Sequence, residues 1–365
     1  MKSLSSLPIA AIGVSLVTAS IADQTCNPPD TGFLCGLKNT EDMVRLPHTP
    51  WVIATQINLD PSTSPPSHFG PGSLEAIRID THGVRRLFPA PGSTAVWDRE
   101  TYPDCPAPPQ PLSPVGLNAK PIGRGKFRLY VDNHGERESV EIIDVTMRGE
   151  AFQATWRGCV KVPKELKVWP NGVAPLPEDG IALSGNNVAV WYPHRGWERV
   201  PQFQAPGPGE TTNGVSYANG YANGIEASHD GHWLLVADSG KKMIVRIPVA
   251  GSSKAHDIGL NFLPDNVRWG EDGNLYVTGP YIPQGVSASQ VRECALAPVC
   301  SLGFAIAKID PTEWTVGEVF RSGDQGIKGL FGDSSTALQI GDQLWTGTAR
   351  GDRVAIIPVP QPGHK

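Results

Sequence analysis

The chain is predicted to be all-β: a single six-bladed β-propeller closed around a central metal site. Three observations predict it. Short runs rich in β-branched and aromatic residues, bounded by Gly, Asp, Asn or Pro, follow one another along the chain, with very little helical pattern. The segments NGIEASHDGHWLLVADS (223–239) and DNVRWGEDGNLYVTGP (265–280) share one scheme of polar anchor, strand, Asp-Gly turn and strand. Oxygen-bearing side chains stand just before apolar runs at Glu41-Asp42, Asn171, Asn223 and Asp265-Asn266.

The strand signals are clearest at 51–54, 127–131, 140–143, 233–237, 243–247, 275–277 and 354–357. The internal repeat implies a period of roughly 40 to 55 residues, the range of propeller blades. Positions 23–365 give 343 residues, or about 57 for each of six blades. The Pro-rich stretches 61–71, 103–114 and 201–208 read as loops inside one domain, because a propeller closes only as a whole ring. A large β-sandwich leaves the repeat unexplained.

At the N-terminus, Lys2, the apolar stretch 7–17 and Ser20-Ile21-Ala22 read as a secretory signal peptide over 1–22, with mature protein starting near Asp23. The apolar stretch is shorter than the roughly 20 residues a membrane span needs. A secreted protein without stable membrane association after cleavage is therefore expected. The six cysteines agree with an oxidising compartment. Cys26 and Cys35, and Cys294 and Cys300, are spaced for local bridges, leaving Cys105 and Cys159; connectivity stays open, since six cysteines allow 15 pairings. With 40 Gly, 35 Pro, 18% charged residues and a formal charge of −5, the chain has a loop-rich globular composition. No Lys/Arg run or basic-aromatic stripe marks it as a nucleic-acid binder.

Single Asn-Gly or Asp-Asn dipeptides are ordinary turn residues. Here they recur in matched settings, as PNGV, ANGI and PDNV. Carboxylates and amide carbonyls converging without sulfur or imidazole describe a site for a hard cation, most naturally calcium.

These segments resemble the calcium-dependent six-bladed propellers of the paraoxonase/arylesterase and gluconolactonase-like group, and are closer to the paraoxonases. The resemblance covers roughly 39–358 and is most specific in 223–239 and 264–277. It implies that Glu41, Asn171, Asn223, Asp265 and Asn266 hold one catalytic Ca²⁺. A second, structural calcium of that group would use Asp42, a backbone carbonyl near Leu117 and an aspartate at the position held here by Gly172. That carboxylate is missing, which leaves Asp42 to orient a neighbouring amide. The group's Pro-His-Gly-Ile motif reads here as Pro114-Val115-Gly116-Leu117, so its general-base histidine is replaced by valine. The partner histidine is kept as His134.

The resemblance implies a secreted calcium-dependent hydrolase of a lactone or ester, acting on a small molecule. Asn171, Asn223 and Asp265 would work beside the ion and His134 would be the remaining imidazole. Two other readings stay open: a non-hydrolytic enzyme, isomerase- or cyclase-like, in the same pocket, or a binding protein with structural calcium. A serine hydrolase and a zinc hydrolase lack their motifs: no GxSxG elbow and no HExxH are present. Asp333-Ser334-Ser335-Thr336 forms a further polar cluster before an apolar run, and turn chemistry accounts for it equally well.

Overall fold

The computed structural model describes residues 26, 32–58, 70–203, 221–251 and 253–359. The expected signal segment 1–22 lies outside them, as do most of the loop 61–71 and the loop 204–220.

The described strands form six sheets, five of four strands and one of five, arranged as successive blades. Blade 1 runs outward from its inner strand Met43–Arg45, blade 2 from Pro114–Gly123, blade 3 from Val173–Pro175, blade 4 from Ala222–Ala227, blade 5 from Val267–Trp269 and blade 6 from Ser334–Ile340. Within a blade, consecutive strands pair antiparallel, as expected when hairpins follow one another. The strand runs at 51–54, 127–131, 140–143, 233–237, 243–247, 275–277 and 354–357 all lie in strands.

The two repeat segments match in turn chemistry as well as in scheme. In blade 4 Asp230 Oδ1 accepts from His232 N at 3.0 Å, and in blade 5 Asp272 Oδ1 accepts from Asn274 N at 3.1 Å. Gly231 and Gly273 follow at φ +71° and +76°, a conformation that costs a glycine little.

Six apolar clusters fill the six junctions. Trp51 and Trp156 pack between blades 1 and 2, Tyr130 and Ile181 between 2 and 3, and Leu176 and Leu234 between 3 and 4. Ile244 and Leu275 follow between 4 and 5, Phe304 and Phe331 between 5 and 6, and Met43 and Trp345 between 6 and 1. Closure comes from the N-terminal strand Phe33–Cys35, the outer strand of blade 6, which pairs with Arg353–Pro358 in the register Phe33↔Ala355. Asn39 N reaches Gly351 O at 2.7 Å beside it. Neither end of the chain completes the last blade alone.

Two features depart from the simple plan. Blade 2 carries strands of up to 11 residues and a fifth strand, Thr94–Ala95, parallel to Ala151–Lys161. The stretch 284–300, in a chain expected to carry very little helix, contains the helix Ala288–Leu296. Its cap was legible: Ser287 and Gln290 form a capping box, the Ser-x-x-Gln signature.

The open disulfide question resolves to Cys26–Cys35, Cys105–Cys159 and Cys294–Cys300. Cys105–Cys159 closes 54 residues, bracketing most of blade 2. Chain entropy puts such a loop at roughly 4 kcal/mol. Replacing both cysteines by serine is expected to lower urea-unfolding stability by about 2–5 kcal/mol, a loss that should exceed that from opening the nine-residue Cys26–Cys35 loop.

Candidate metal centre

The expected site residues gather at one end of the ring's axis. Glu41 directly precedes Asp42 and the inner strand of blade 1. Asn171 precedes that of blade 3, Asn223 lies at the start of that of blade 4, and Asp265-Asn266 precede that of blade 5. The backbone binds these segments to one another around the axis. Ser335 Oγ donates to Glu41 O at 2.6 Å, and Asn266 N to Ser335 O at 2.9 Å. Gly224 N donates to Asp265 O at 2.9 Å, and Ser184 Oγ to Asn223 O. Glycines make this approach possible: a Cβ on Gly224 would lie 2.6 Å from Asn266 Cα, and one on Gly116 would lie 2.0 Å from Asn171 O.

The side chains are less satisfied than the backbone. Asn266 Nδ2 donates to Glu41 Oε1 at 3.0 Å and Asn171 Nδ2 to Tyr221 Oη at 3.3 Å. Glu41 Oε2 and the Oδ1 atoms of Asn171, Asn223, Asp265 and Asn266 are all buried without a hydrogen-bond partner. Burying one such acceptor costs about 1–3 kcal/mol, so five together are an unstable arrangement unless something positive meets them.

The carboxylates reflect this. Burial pushes Glu41 well above the usual range, helped by Asp42 and Asp265, while Asn266 and Arg268 pull it back. Asp265 is raised by burial, then by Asp333 and Asp42. Burial likewise raises Asp333 to about 6 against the pull of Arg350. With Asp42 countered by Arg268 and Asp333 by Arg350, the uncompensated charge is that of Glu41 and Asp265, minus two when both are ionised. Among the described residues no three His, Cys, Asp or Glu side chains converge as metal ligands. The set here is two carboxylates and three amides, the all-oxygen chemistry of a hard cation.

Asp42 belongs to a different structure. Its Oδ1 accepts from Met43 N and its Oδ2 from Leu117 N, both at 2.8 Å, so it does orient neighbouring amides. It also binds the fully buried guanidinium of Arg268 through both oxygens. Arg268 donates further to Leu117 O at 2.8 Å, Met43 O at 3.2 Å and Glu226 Oε1 at 3.1 Å. Asp42 and the Leu117 carbonyl, two groups expected to serve a second cation, are thus occupied by a guanidinium. At Gly172 a Cβ would sit 2.7 Å from Ser184 Oγ and 2.9 Å from Ile225 N, leaving no room for a third acidic ligand. Arg268 was not read from the sequence; an arginine inside an inner strand, at the second position of VRW, was the available signal.

Val115 is buried at the start of the blade 2 inner strand. His134 closes the next strand, stacked on the half-exposed ring of Trp169 at 5.5 Å, two residues before Asn171. Its Nε2 lies 3.2 Å from Asp132 Oδ2 and its Nδ1 2.6 Å from Glu138 Oε2. Burial alone would lower its pKa, but Asp132 and Glu138 outweigh it and hold the ring up at about 10. These two carboxylates favour the protonated ring.

Comparison with known proteins adds the fold. No family model and no curated protein matches the chain. A solved structure from Bacteroides thetaiotaomicron VPI-5482, of unknown function, is similar at TM-score 0.53 and 13% identity, over 89% of this chain and 70% of that one. A luciferin-regenerating enzyme (TM-score 0.48, 12% identity, 90% and 94% covered) is also similar. So is a Bacteroides uniformis protein provisionally named 6-phosphogluconolactonase (TM-score 0.48, 12% identity, 86% and 80% covered). The first likeness shows a shared fold. At such identity none of them speaks to activity.

Two outcomes are expected. Arg268→Met leaves Asp42 and Glu226 buried and unpaired, and should cost about 3–5 kcal/mol in urea unfolding; a loss near zero would show that the guanidinium does not hold the blades. For His134, the raised folded pKa means its contribution is complete below about 6.5 and lost as pH climbs through about 10. Imidazole NMR should find it protonated at neutral pH, and Asp132→Asn should bring its titration down.

Proposed function

We propose that this chain is a calcium-dependent hydrolase of lactones or esters that works outside the cell. One observation carries the reading: five buried acceptor oxygens, from four blades, stand unpaired with no sulfur or nitrogen among them, two of them on the carboxyls of Glu41 and Asp265. Three disulfides, together with the absence among the described residues of a helix long and apolar enough to cross a membrane, agree with an oxidising, extracellular setting.

Glu41 and Asp265 would supply the charge and Asn171, Asn223 and Asn266 the neutral oxygens of a calcium site. Calcium bound there supplies Lewis-acid polarisation of a carbonyl. The protein's own groups do the rest. Asn266 holds Glu41 Oε1 so that Oε2 faces the centre, and Tyr221 steadies the amide of Asn171. Val115 offers no base. Asp333, at φ +48° just before the blade 6 inner strand and electrostatically close to Asp265, is the carboxylate left to take a proton from water. His134, ion-paired to Asp132 and Glu138 and stacked on Trp169, positions the Trp169–Asn171 segment.

The absence of a histidine base at Val115 favours a second reading, a non-hydrolytic reaction in the same pocket; a binding protein with structural calcium is the third. One set of measurements separates them. Purified protein should contain calcium and hydrolyse lactones or aryl esters, with activity lost on chelation and in Asn223→Ala and Asp265→Ala. Asp333→Asn should lower kcat by about 10²–10⁴ while calcium stays bound. Calcium without hydrolysis would move the assignment to the other readings, and protein that binds no calcium would remove its basis.

Stability adds a readout independent of activity. Because burial raises the folded pKa values of Glu41 and Asp265, the folded state binds more protons than the unfolded one. Cation-free protein should therefore lose stability as pH rises from the usual carboxylate range. Calcium at about 100 times its Kd should restore about 2.7 kcal/mol at neutral pH.

A further inference from the structure

The axial channel has a second mouth. The candidate centre lies where the inner strands begin, whereas a cavity of about 890 Å³ is lined by residues where the same strands end: Arg45, Lys120, Leu176, Glu226, Trp269 and Leu338 among them. Three residues of strand separate Asn223 from Glu226, roughly 10 Å of channel. Between the two ends stands the guanidinium of Arg268, bonded to Asp42 on one side and to Glu226 on the other. The cavity is therefore separate from the oxygen cluster, and a ligand seated in it would require neither calcium nor hydrolysis.

Its size falls within the range of small-molecule sites, about 300–1,000 Å³. Its floor is a built polar group. The Glu226 side chain is more than nine-tenths buried, and both Asn118 Nδ2 and Arg268 Nη1 bond the same oxygen, Oε1, each at 3.1 Å. The Ala227 backbone amide also bonds this carboxyl. The Trp269 ring forms part of the wall. His229 stacks on it at 4.2 Å and the indole Nε1 is committed to Ala227 O at 2.9 Å, so the ring is locked in place. Pro47, Pro121, Pro175 and Pro177 supply rigid apolar rings around the mouth.

Charge decides the ligand class. Arg45 pairs with Glu271, Arg268 with Asp42 just behind the lining, and Lys120 offsets Glu226 when that carboxyl is ionised, so the lining together with Asp42 is balanced. An ion entering this space would lose hydration without a counter-charge. A ring that lies against indole and proline and offers hydroxyls to a buried carboxylate meets no such penalty.

We propose that this second mouth is a binding site for a neutral, hydroxyl-bearing ring compound, seated against Trp269 with a hydroxyl donating to Glu226. Phenolic and saccharide rings share that chemistry, and two probes distinguish them: catechol and methyl β-glucoside. Binding to the full-length protein is followed by tryptophan fluorescence and by ligand-observed NMR. At least one probe should saturate. Glu226→Gln keeps an acceptor for Arg268 but replaces the second oxygen by a donor, and should weaken binding at least about tenfold, as should Trp269→Ala. Ala119→Phe adds bulk at the cavity wall, at a position that also packs against the blade 1–2 core; it should abolish binding while circular dichroism stays near wild type, the melting temperature reporting the cost to the core. Saturation by catechol alone or by the glucoside alone supports the site and names the class. Saturation by neither probe, or equal binding in wild type and Ala119→Phe, overturns it.

Discussion

Everything along the axis of this propeller depends on one buried cation, the guanidinium of Arg268. It belongs to blade 5 and bonds the Asp42 carboxylate and Met43 carbonyl of blade 1, the Leu117 carbonyl of blade 2, and Ile225 O and Glu226 of blade 4. Blades of a ring touch only their neighbours through their apolar faces, so nothing apolar joins blade 5 to blade 2. A planar fork with five N–H donors does. The desolvation of one guanidinium and two carboxylates is costly, and is offset because the guanidinium's donors are met by Asp42, Glu226 and the carbonyls of Met43, Leu117, Ile225 and Val267. The value of such a group lies less in net stability than in the single register it imposes on four inner strands.

That register positions the two ends of the channel. Above Arg268, Glu41 and Asp265 are crowded into a space where their negative charge has no protein partner of its own. Arg268 lowers the repulsion at Glu41 without neutralising it, since Asp42 already claims the guanidinium. Below Arg268, Glu226 uses the other face of the same cation, and burial lifts its carboxyl to about 7 despite that attraction. One positive group therefore serves two acidic environments, and each is left in a different state: the upper one deficient in positive charge, the lower one nearly balanced.

The fold was legible because its signal is repeated. Asp-Gly turns at 230–231 and 272–273, polar anchors before apolar runs, and strand-length spacing are local features that recur, so errors in one blade do not spoil the count. The five oxygen-bearing residues were legible for the same reason. What escaped was either non-local or unrepeated. Nothing near Arg268 in sequence announces that its partners lie 226 and 151 positions away, at Asp42 and Leu117. The protonated state of His134 depends on Asp132 and Glu138, both near in sequence, but also on a burial that only the packed blade provides. The helix Ala288–Leu296 had a readable cap and was missed because its short amphipathic pattern is weak beside the surrounding loop composition.

The expectation of a weakened second cation site has a physical resolution in this arrangement. A buried aspartate and an inward-facing carbonyl both require a positive partner. Asp42 and the Leu117 carbonyl find one in a covalently attached group that cannot dissociate, chelate away or exchange with solvent. At Gly172 the turn closes against Gly224 and Ile225 with no side chain between them. Integrity of the ring is thereby separated from occupancy of the remaining oxygen cluster. A cation bound at that cluster would not be needed to hold the blades, which Arg268 already ties together.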